Sequence, residues 1–272
     1  MRKRMLPEGW YPLSAESVIR EIDRWTSQTA SVESGAVSGI APHAGWYFSG
    51  NLAWMTWASA GNADIIVIAG GHAPPDYPVL VYNDDSCEVP GGSLEVHRAL
   101  LSELRNKFSA KDDLTADNTV EIQLPFAACR FPSAPVVALR VPADSRAREI
   151  GYFLSEYAKV NKQTLFVLGS TDLTHYGPNY GFSPAGRGAG AVAWATENDR
   201  KFIDACLAMD TGSIVRTGVG LMASCSSGAA ACAAAFAEGE GAKRPVLHAH
   251  TSSLAKHQDE SFVGYCSISY YH

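Results

Sequence analysis

The sequence lacks the features that mark a membrane protein or a disulfide-stapled secreted domain. No uncharged apolar run approaches the roughly 18 residues that a membrane span requires. The basic start MRKRM is followed by Pro7, Glu8 and Gly9 rather than by the apolar segment of a signal peptide. The six cysteines form no Cys-x-x-Cys pair and no framework spacing, which is typical of free thiols in a reducing compartment. We therefore expect a cytoplasmic protein.

The chain also lacks an excess of positive charge and any internal linker. The formal net charge of -6 argues against nucleic acid or an anionic membrane as the main partner. No proline-rich or serine-rich segment, repeat or shift in composition divides the 272 residues, and this length can bury one large core. The prediction is a single domain that spans residues 1–272.

What the sequence does contain is an alternation of short apolar runs with helical patterns. This alternation predicts an α/β fold, a three-layer α/β/α sandwich with a mainly parallel central sheet. The predicted strands are 37–41, 65–69, 78–82, 136–141, 164–168, 246–250 and 263–269. The predicted helices are 15–26, 95–106, 145–159, 193–209 and 221–237. In the helix at 145–159, apolar residues recur at i, i+3, i+4 and i+7 behind Asp144, which is a plausible N-cap.

Polar residues follow three of these predicted strands directly. His43 stands in APHAG, His72 in GGHAPP, and Asp172 and His175 in STDLTHYG. The carboxyl ends of strands in such a sheet form the edge where α/β proteins bind ligands. One histidine alone is more often a core or surface residue. Three in the same topological position favour a metal site or an acid/base cluster.

Three further features bear on this site. Asp172 and His175 are three positions apart and would share a face on a helical turn, although a simple N-cap role for Asp172 is the alternative. Glu121 stands in the apolar stretch NTVEIQLPF and needs a partner if it is buried, which makes it structural support for the site or an orienting group. Cys225 stands where the small-residue helix begins. Such a position lowers a thiol's pKa, and so Cys225 is a better ligand or nucleophile than Cys232.

Several motifs together resemble a known family. The strings EGWYP, APHAGWYFSG, GGHAPP, NTVEIQLPF, STDLTHYG, the SC before the small-residue helix and HQDESFVGYCSISY occur in the order of the Memo-like family, also known as AmmeMemoRadiSam system protein B. The resemblance implies a fold similar to the class III extradiol dioxygenases, which are non-haem iron enzymes. It also implies a metal held by His43, His72 and Cys225, with Asp172 and His175 in the same pocket.

The resemblance also implies cofactors and partners, and the chain departs from the family pattern at a few positions. Iron or copper is the favoured metal, with zinc as a further candidate. A functional link to an AMMECR-like protein and a radical S-adenosylmethionine enzyme is implied. Phe48 stands where the family usually has tyrosine, Asn118 where it has histidine, and Ser226 where many members have glycine. We assign Phe48 and Glu121 to the substrate pocket.

Three hypotheses of function remain open at this point. The first is a metal-dependent redox enzyme that acts on a small substrate, with aromatic molecules as one candidate class and with His175 and Asp172 as catalytic groups. Because a thiolate replaces the carboxylate of the ring-cleaving relatives, ring cleavage does not carry over. The second is a hydrolase with Cys225 as nucleophile, His175 as base and Asp172 as orienting group, which leaves His43 and His72 without roles. The third is a binding or scaffold protein that keeps the pocket without catalysis.

Overall fold

A nine-stranded sheet forms the centre of the fold in a computed structural model that describes residues 1–28 and 32–272. Its strands follow the order β10-β11-β1-β8-β2-β7-β3-β6, and β9 pairs with β11 outside this path. The four central strands, β1, β8, β2 and β7, run parallel, whereas β11 and β3 flank them in antiparallel orientation. The strands of this sheet are β1 (Ser38–Ala41), β2 (Ile65–Gly70), β3 (Leu80–Val81), β6 (Lys111–Asp112), β7 (Val136–Arg140), β8 (Leu165–Ser170), β9 (His175–Tyr176), β10 (Arg244–Ser252) and β11 (Phe262–Tyr271).

Helices cover both faces of this sheet. The α-helices are α1 (Ala15–Gln28), α2 (Trp46–Ser59), α3 (Arg98–Phe108), α4 (Asn118–Glu121), α5 (Leu124–Arg130), α6 (Ser145–Asn161), α7 (Ala189–Leu207), α8 (Thr211–Gly220) and α9 (Ser227–Gly239). Successive side chains of β1 point to opposite faces of the sheet. Neighbouring residues of this strand therefore face different helix layers. The Ser38 hydroxyl donates to the Ala233 carbonyl of α9 at 2.9 Å, while a Cβ on Gly39 would lie 2.5 Å from Thr56 of α2. The predicted α/β class with a mostly parallel central sheet is therefore confirmed.

The small residues of α9 let it lie against the sheet and against α6. All residues from Ser227 to Ala237 are buried. A Cβ on Gly169 of β8 would come within 2.6 Å of the Ala229 carbonyl oxygen, and one on Gly151 of α6 would come within 2.5 Å of the Cys232 carbonyl oxygen. This close packing fixes where α9 begins, and the start of α9 helps to form the candidate site described below.

The predicted helix at 145–159 is α6, and its local details agree with the sequence pattern. The Asp144 carboxylate accepts a hydrogen bond from the backbone N–H of Arg146 at 3.0 Å, as an N-cap does. Ile150, Phe153, Leu154 and Tyr157, the residues at helical spacing, are all buried. The periodic pattern therefore identified both the start of this helix and the face it buries.

Other segments differ from the predictions. The predicted helix at 95–106 begins only at Arg98, and a hairpin of β4 (Ser86–Val89) and β5 (Gly92–Glu95) precedes it. The predicted helix at 221–237 begins at Ser227, so Cys225 lies in the preceding loop. Helix α2 was not predicted, because it is apolar on most sides and has no polar stripe to reveal its period. In the described part of the chain, no helix is both long and apolar enough to cross a bilayer.

Candidate metal centre

The carboxyl ends of β1, β8 and β2 lie side by side and carry most of the candidate site. In the parallel register, Ala41 pairs with Ser170 and Ala69 pairs with Gly169. His43 follows β1 by two residues, His72 follows β2 by two residues, and Asp172 follows β8 by two residues. The register of the sheet thus brings together residues that lie far apart in sequence.

His43, His72 and Cys225 converge at this edge with the geometry of a three-ligand metal site. One ligand atom from each residue lies within 4.8 Å of the other two. The Cys225 Sγ is 3.2 Å from the His43 Nε2, and the two imidazole rings have centroids 5.2 Å apart in an edge-to-face arrangement. Two imidazoles and a thiolate form a donor set that suits iron, copper or zinc rather than magnesium or calcium. The residues present therefore fit a transition-metal ion.

The electrostatics of this cluster favour a thiolate. Burial by itself raises the pKa of the Cys225 thiol, but His43, His175 and His72 lie around the sulfur and bring its pKa well below the ordinary thiol value. Burial by itself lowers the pKa of His43, but the carboxylate of Asp172 and the sulfur of Cys225 bring it above the ordinary value. The cluster therefore holds a deprotonated sulfur among positively polarised imidazoles, which is the form of cysteine that binds metals.

Contacts to its backbone and to its ring hold His43 in place. Its N–H donates to the Asp172 Oδ1 at 2.7 Å, and its ring Nδ1 lies 3.3 Å from the Ser170 hydroxyl. The Asn118 side chain donates to the His43 carbonyl at 3.1 Å. His43 is only 1% exposed, so these contacts fix an imidazole that is almost completely shielded from solvent.

Asp172 and His175 line a cavity of about 520 Å³ that adjoins this cluster. They do not share a helical turn, because His175 lies in β9 and pairs with Val263 of β11. Asp172 caps none of the described helices, and its Oδ2 lies 4.0 Å from the His175 Nε2. Burial by itself lowers the pKa of His175, but the Cys225 sulfur raises it above its ordinary value. The His175 Nε2 is buried, and among the residues that the structure describes it has no hydrogen-bond partner.

The two residues assigned to the substrate pocket lie in different places. Phe48 lines the cavity, as does Asn118. Glu121 is not among the described residues that line this cavity. Instead its carboxylate is 3% exposed and accepts hydrogen bonds from the Met5 N–H, the Leu6 N–H and the Tyr11 hydroxyl, at 2.9, 2.9 and 3.0 Å. A buried carboxylate requires such donors, and these donors anchor the segment that contributes Glu8, Gly9 and Trp10 to the cavity wall.

Several residues around the ligands were not found from the sequence. Asp117 lies beside His72, with 3.4 Å between its Oδ2 and the His72 Nδ1. The Ser226 hydroxyl accepts a hydrogen bond from the His72 N–H at 3.2 Å. Asp117 stands one residue before the motif that contains Glu121 and resembles an ordinary N-cap, which it also is for α4. Its contact with His72 depends on tertiary structure and leaves no local signal.

Comparison with known proteins identifies the family of this chain. The family model described as Memo-like protein matches residues 2–269. The chain belongs to the Memo-like family. This membership confirms the resemblance drawn from the motifs. It extends the match beyond the motifs to nearly the whole chain.

Relatives of similar length support the same membership. A MEMO1 family protein of Pyrobaculum aerophilum is 26% identical and aligns with 100% of this chain and 99% of its own length. A MEMO1 family protein of Methanococcoides burtonii is 26% identical over 98% of this chain and 99% of its own length. A MEMO1 family protein of Methanopyrus kandleri is 30% identical over 65% of this chain and 62% of its own length. The crystal structure of an uncharacterized protein from Escherichia coli K12 aligns at a TM-score of 0.49 and 13% identity, covering 75% of this chain and 84% of that chain.

Proposed function

We propose that this Memo-like protein is a metal-dependent redox enzyme in which His43, His72 and Cys225 hold one transition-metal ion, with iron or copper favoured. The observation that carries the proposal is the convergence of three donor atoms within 4.8 Å beside a cavity. An iron or copper ion bound by three protein ligands supplies one-electron chemistry and keeps coordination positions open for an exogenous ligand.

In this proposal Asp172 and His175 serve the substrate rather than the metal. The His175 Nε2 lacks a hydrogen-bond partner among the described residues, so it is free to give a proton to a substrate oxygen or to accept one. The Asp172 carboxylate faces both His43 and His175, at 3.9 and 4.0 Å. Asp172 holds His43 through its backbone N–H, which donates to the Asp172 Oδ1 at 2.7 Å, and the negative charge of Asp172 lies near both imidazoles.

The residues of the cavity wall favour a flat substrate that is uncharged or cationic. Four aromatic side chains line it, namely Trp10, Phe48, Tyr180 and Tyr265. None of the described residues that line this cavity is a lysine or an arginine, whereas Glu8, Asp172 and Asp259 supply carboxylates. An anionic substrate would have only the metal and the histidines to offset its charge.

Metal analysis of protein purified anaerobically and without chelators tests the proposal. We expect about one equivalent of iron or copper per protein chain. When neutral or cationic aromatic compounds are then screened as substrates, the metal-loaded protein should consume dioxygen. Protein that binds neither metal, even after reconstitution, would contradict the proposal.

The alternative hydrolase is favoured by one observation, the close contact of the Cys225 sulfur with an imidazole at 3.2 Å. Alkylation of Cys225 that abolishes an ester or amide hydrolysis in metal-free protein would support it. A pocket that binds small molecules with neither oxygen consumption nor hydrolysis would instead support a binding protein.

A further inference from the structure

His72 has a backbone conformation that non-glycine residues rarely adopt, with a φ of 56°. It lies between β2 and β3 in a stretch without regular secondary structure. Its side chain is 38% exposed, whereas that of His43 is 1% exposed. A left-handed conformation at such a position persists only where neighbouring groups hold it. Neighbouring groups must therefore hold His72 in this conformation, facing His43 and Cys225.

Among the described residues, side chains from three other parts of the chain hold this segment. The Ser226 hydroxyl accepts from the His72 N–H at 3.2 Å. The Arg140 Nε donates to the carbonyl of Gly71 at 3.1 Å. The third contact is to the imidazole itself, whose Nδ1 lies 3.4 Å from the Asp117 Oδ2. The first two contacts position the backbone, as does the Gly71 N–H, which donates to the Thr119 hydroxyl at 2.9 Å. The contact with Asp117 acts on the ring.

Asp117 is itself rigidly placed. Its side chain is 5% exposed, and its Oδ1 accepts hydrogen bonds from the N–H and the hydroxyl of Thr119. Its Oδ2 faces the Arg140 Nε at 3.6 Å. Arg140 in turn lies 3.4 Å from the carboxylate of Asp113 and donates to the Thr115 hydroxyl at 3.0 Å. The Oδ2 of Asp117 thus lies between the buried guanidinium and the imidazole of His72.

We propose that Asp117, held by Arg140, is the positioning residue that makes His72 a metal ligand through Nε2. The imidazole donates its Nδ1–H to Asp117, and this leaves the Nε2 lone pair directed toward the ion shared with His43 and Cys225. A carboxylate that receives the second ring N–H of a ligand histidine fixes its tautomer and raises its basicity. This inference rests on the metal site proposed above, and it adds a residue that the ligand motifs do not contain.

Metal affinity of two matched variants tests the inference. Asp117→Asn keeps the size of the side chain and its capping ability but removes the negative charge beside His72. Asp113→Asn removes a carboxylate that faces the same guanidinium without contacting His72. We expect Asp117→Asn to weaken Zn²⁺ binding, measured by competition with a chromophoric chelator, by about tenfold or more. Asp113→Asn is expected to stay within about threefold of the unmodified protein.

Equal losses in both variants would mean that the effect passes through Arg140 or through general stability, and would overturn the inference. A second measurement needs no variant. In zinc-loaded protein, ¹⁵N NMR of the His72 ring should show a protonated Nδ1 and a metal-bound Nε2, and zinc on Nδ1 would overturn the inference. Unmodified protein that binds no zinc, iron or copper would contradict the proposed function instead, so the two failures are distinguishable.

Discussion

The Sγ of Cys225 lies 3.2 Å from the Nε2 of His43, although 182 positions separate the two residues in the chain. The contact joins the loop before α9 to the end of β1. The imidazole favours the thiolate form of this sulfur, and a thiolate is a stronger donor than an imidazole for a soft metal ion. The contact therefore makes Cys225 the first residue at which to test the candidate metal site.

Substitution of Cys225 should change the metal selectivity. Cys225→Ser should lower the stoichiometry of bound iron, copper and zinc, because a hydroxyl is a poorer donor than a thiolate for these ions. Cys225→Asp should partly restore iron, since two histidines and a carboxylate form the facial arrangement of non-haem iron oxygenases. Metal analysis and a thermal melt of both variants check this, with Cys129→Ser at an exposed cysteine as the control. Unchanged metal content in Cys225→Ser would rule out the ligand role.

Alkylation should identify Cys225 as a thiolate at neutral pH. The histidines around Cys225 bring its pKa well below the ordinary value, although burial opposes them, whereas burial raises the pKa of Cys129. In metal-free protein at pH 7, iodoacetamide should therefore modify Cys225 first, even though Cys129 is the more exposed. The Cys225 rate should change little between pH 7 and pH 9, while the Cys129 rate rises with pH. Peptide mass spectrometry measures both rates, and added zinc should slow only the first.

His175→Ala should separate catalysis from metal binding. The substitution removes the proposed proton carrier, so turnover should fall by about 10²-fold or more, while the three ligands and the metal content remain. His257→Ala is the matched control, because His257 also lines the cavity but is exposed. Oxygen consumption together with metal analysis gives the answer. If metal content falls with activity in His175→Ala, then His175 is a ligand and its proposed role is wrong.

Ligand charge should affect binding in the cavity independently of the metal. In metal-free protein, 2-phenylethylamine should bind several-fold more tightly than 3-phenylpropionate, which has a similar shape and the opposite charge, because Glu8 and Asp259 line the cavity. The preference should shrink at high salt and in Glu8→Gln with Asp259→Asn. Isothermal titration calorimetry measures both ligands. A preference for the carboxylate would contradict the charge argument and leave the metal site unaffected.

Glu121→Gln should destabilise the protein without removing a metal ligand. The amide places N–H groups where the carboxylate accepted hydrogen bonds from Met5, Leu6 and Tyr11. We expect a loss of about 1–3 kcal/mol in the free energy of unfolding, since buried donors lose their partner. Glu88→Gln is the control, because Glu88 accepts from the Arg4 N–H at 3.0 Å but is more exposed. Urea unfolding of both variants measures the difference, and equal effects would contradict the structural role of Glu121.

The sequence by itself determined the class of the fold and indicated the three residues that the structure brings together as a candidate metal site. Apolar runs such as IIVIAG are buried on both faces and predicted a central strand. Asp144 and the apolar stripe behind it predicted α6. Histidines directly after strands signalled a site because a local pattern and a topological rule coincide there. The family motifs then distinguished Cys225 from the other cysteines.

Only the tertiary structure decided what surrounds those ligands. Helix α2 shows no amphipathic period because it is buried on most sides, and the start of α9 depends on how closely it packs against Gly169. Asp117 and Glu121 are both carboxylates within one short stretch, yet one faces His72 and the other binds the N-terminal segment. Local sequence does not distinguish them. A buried charge takes its role from its partners, and long-range folding selects those partners.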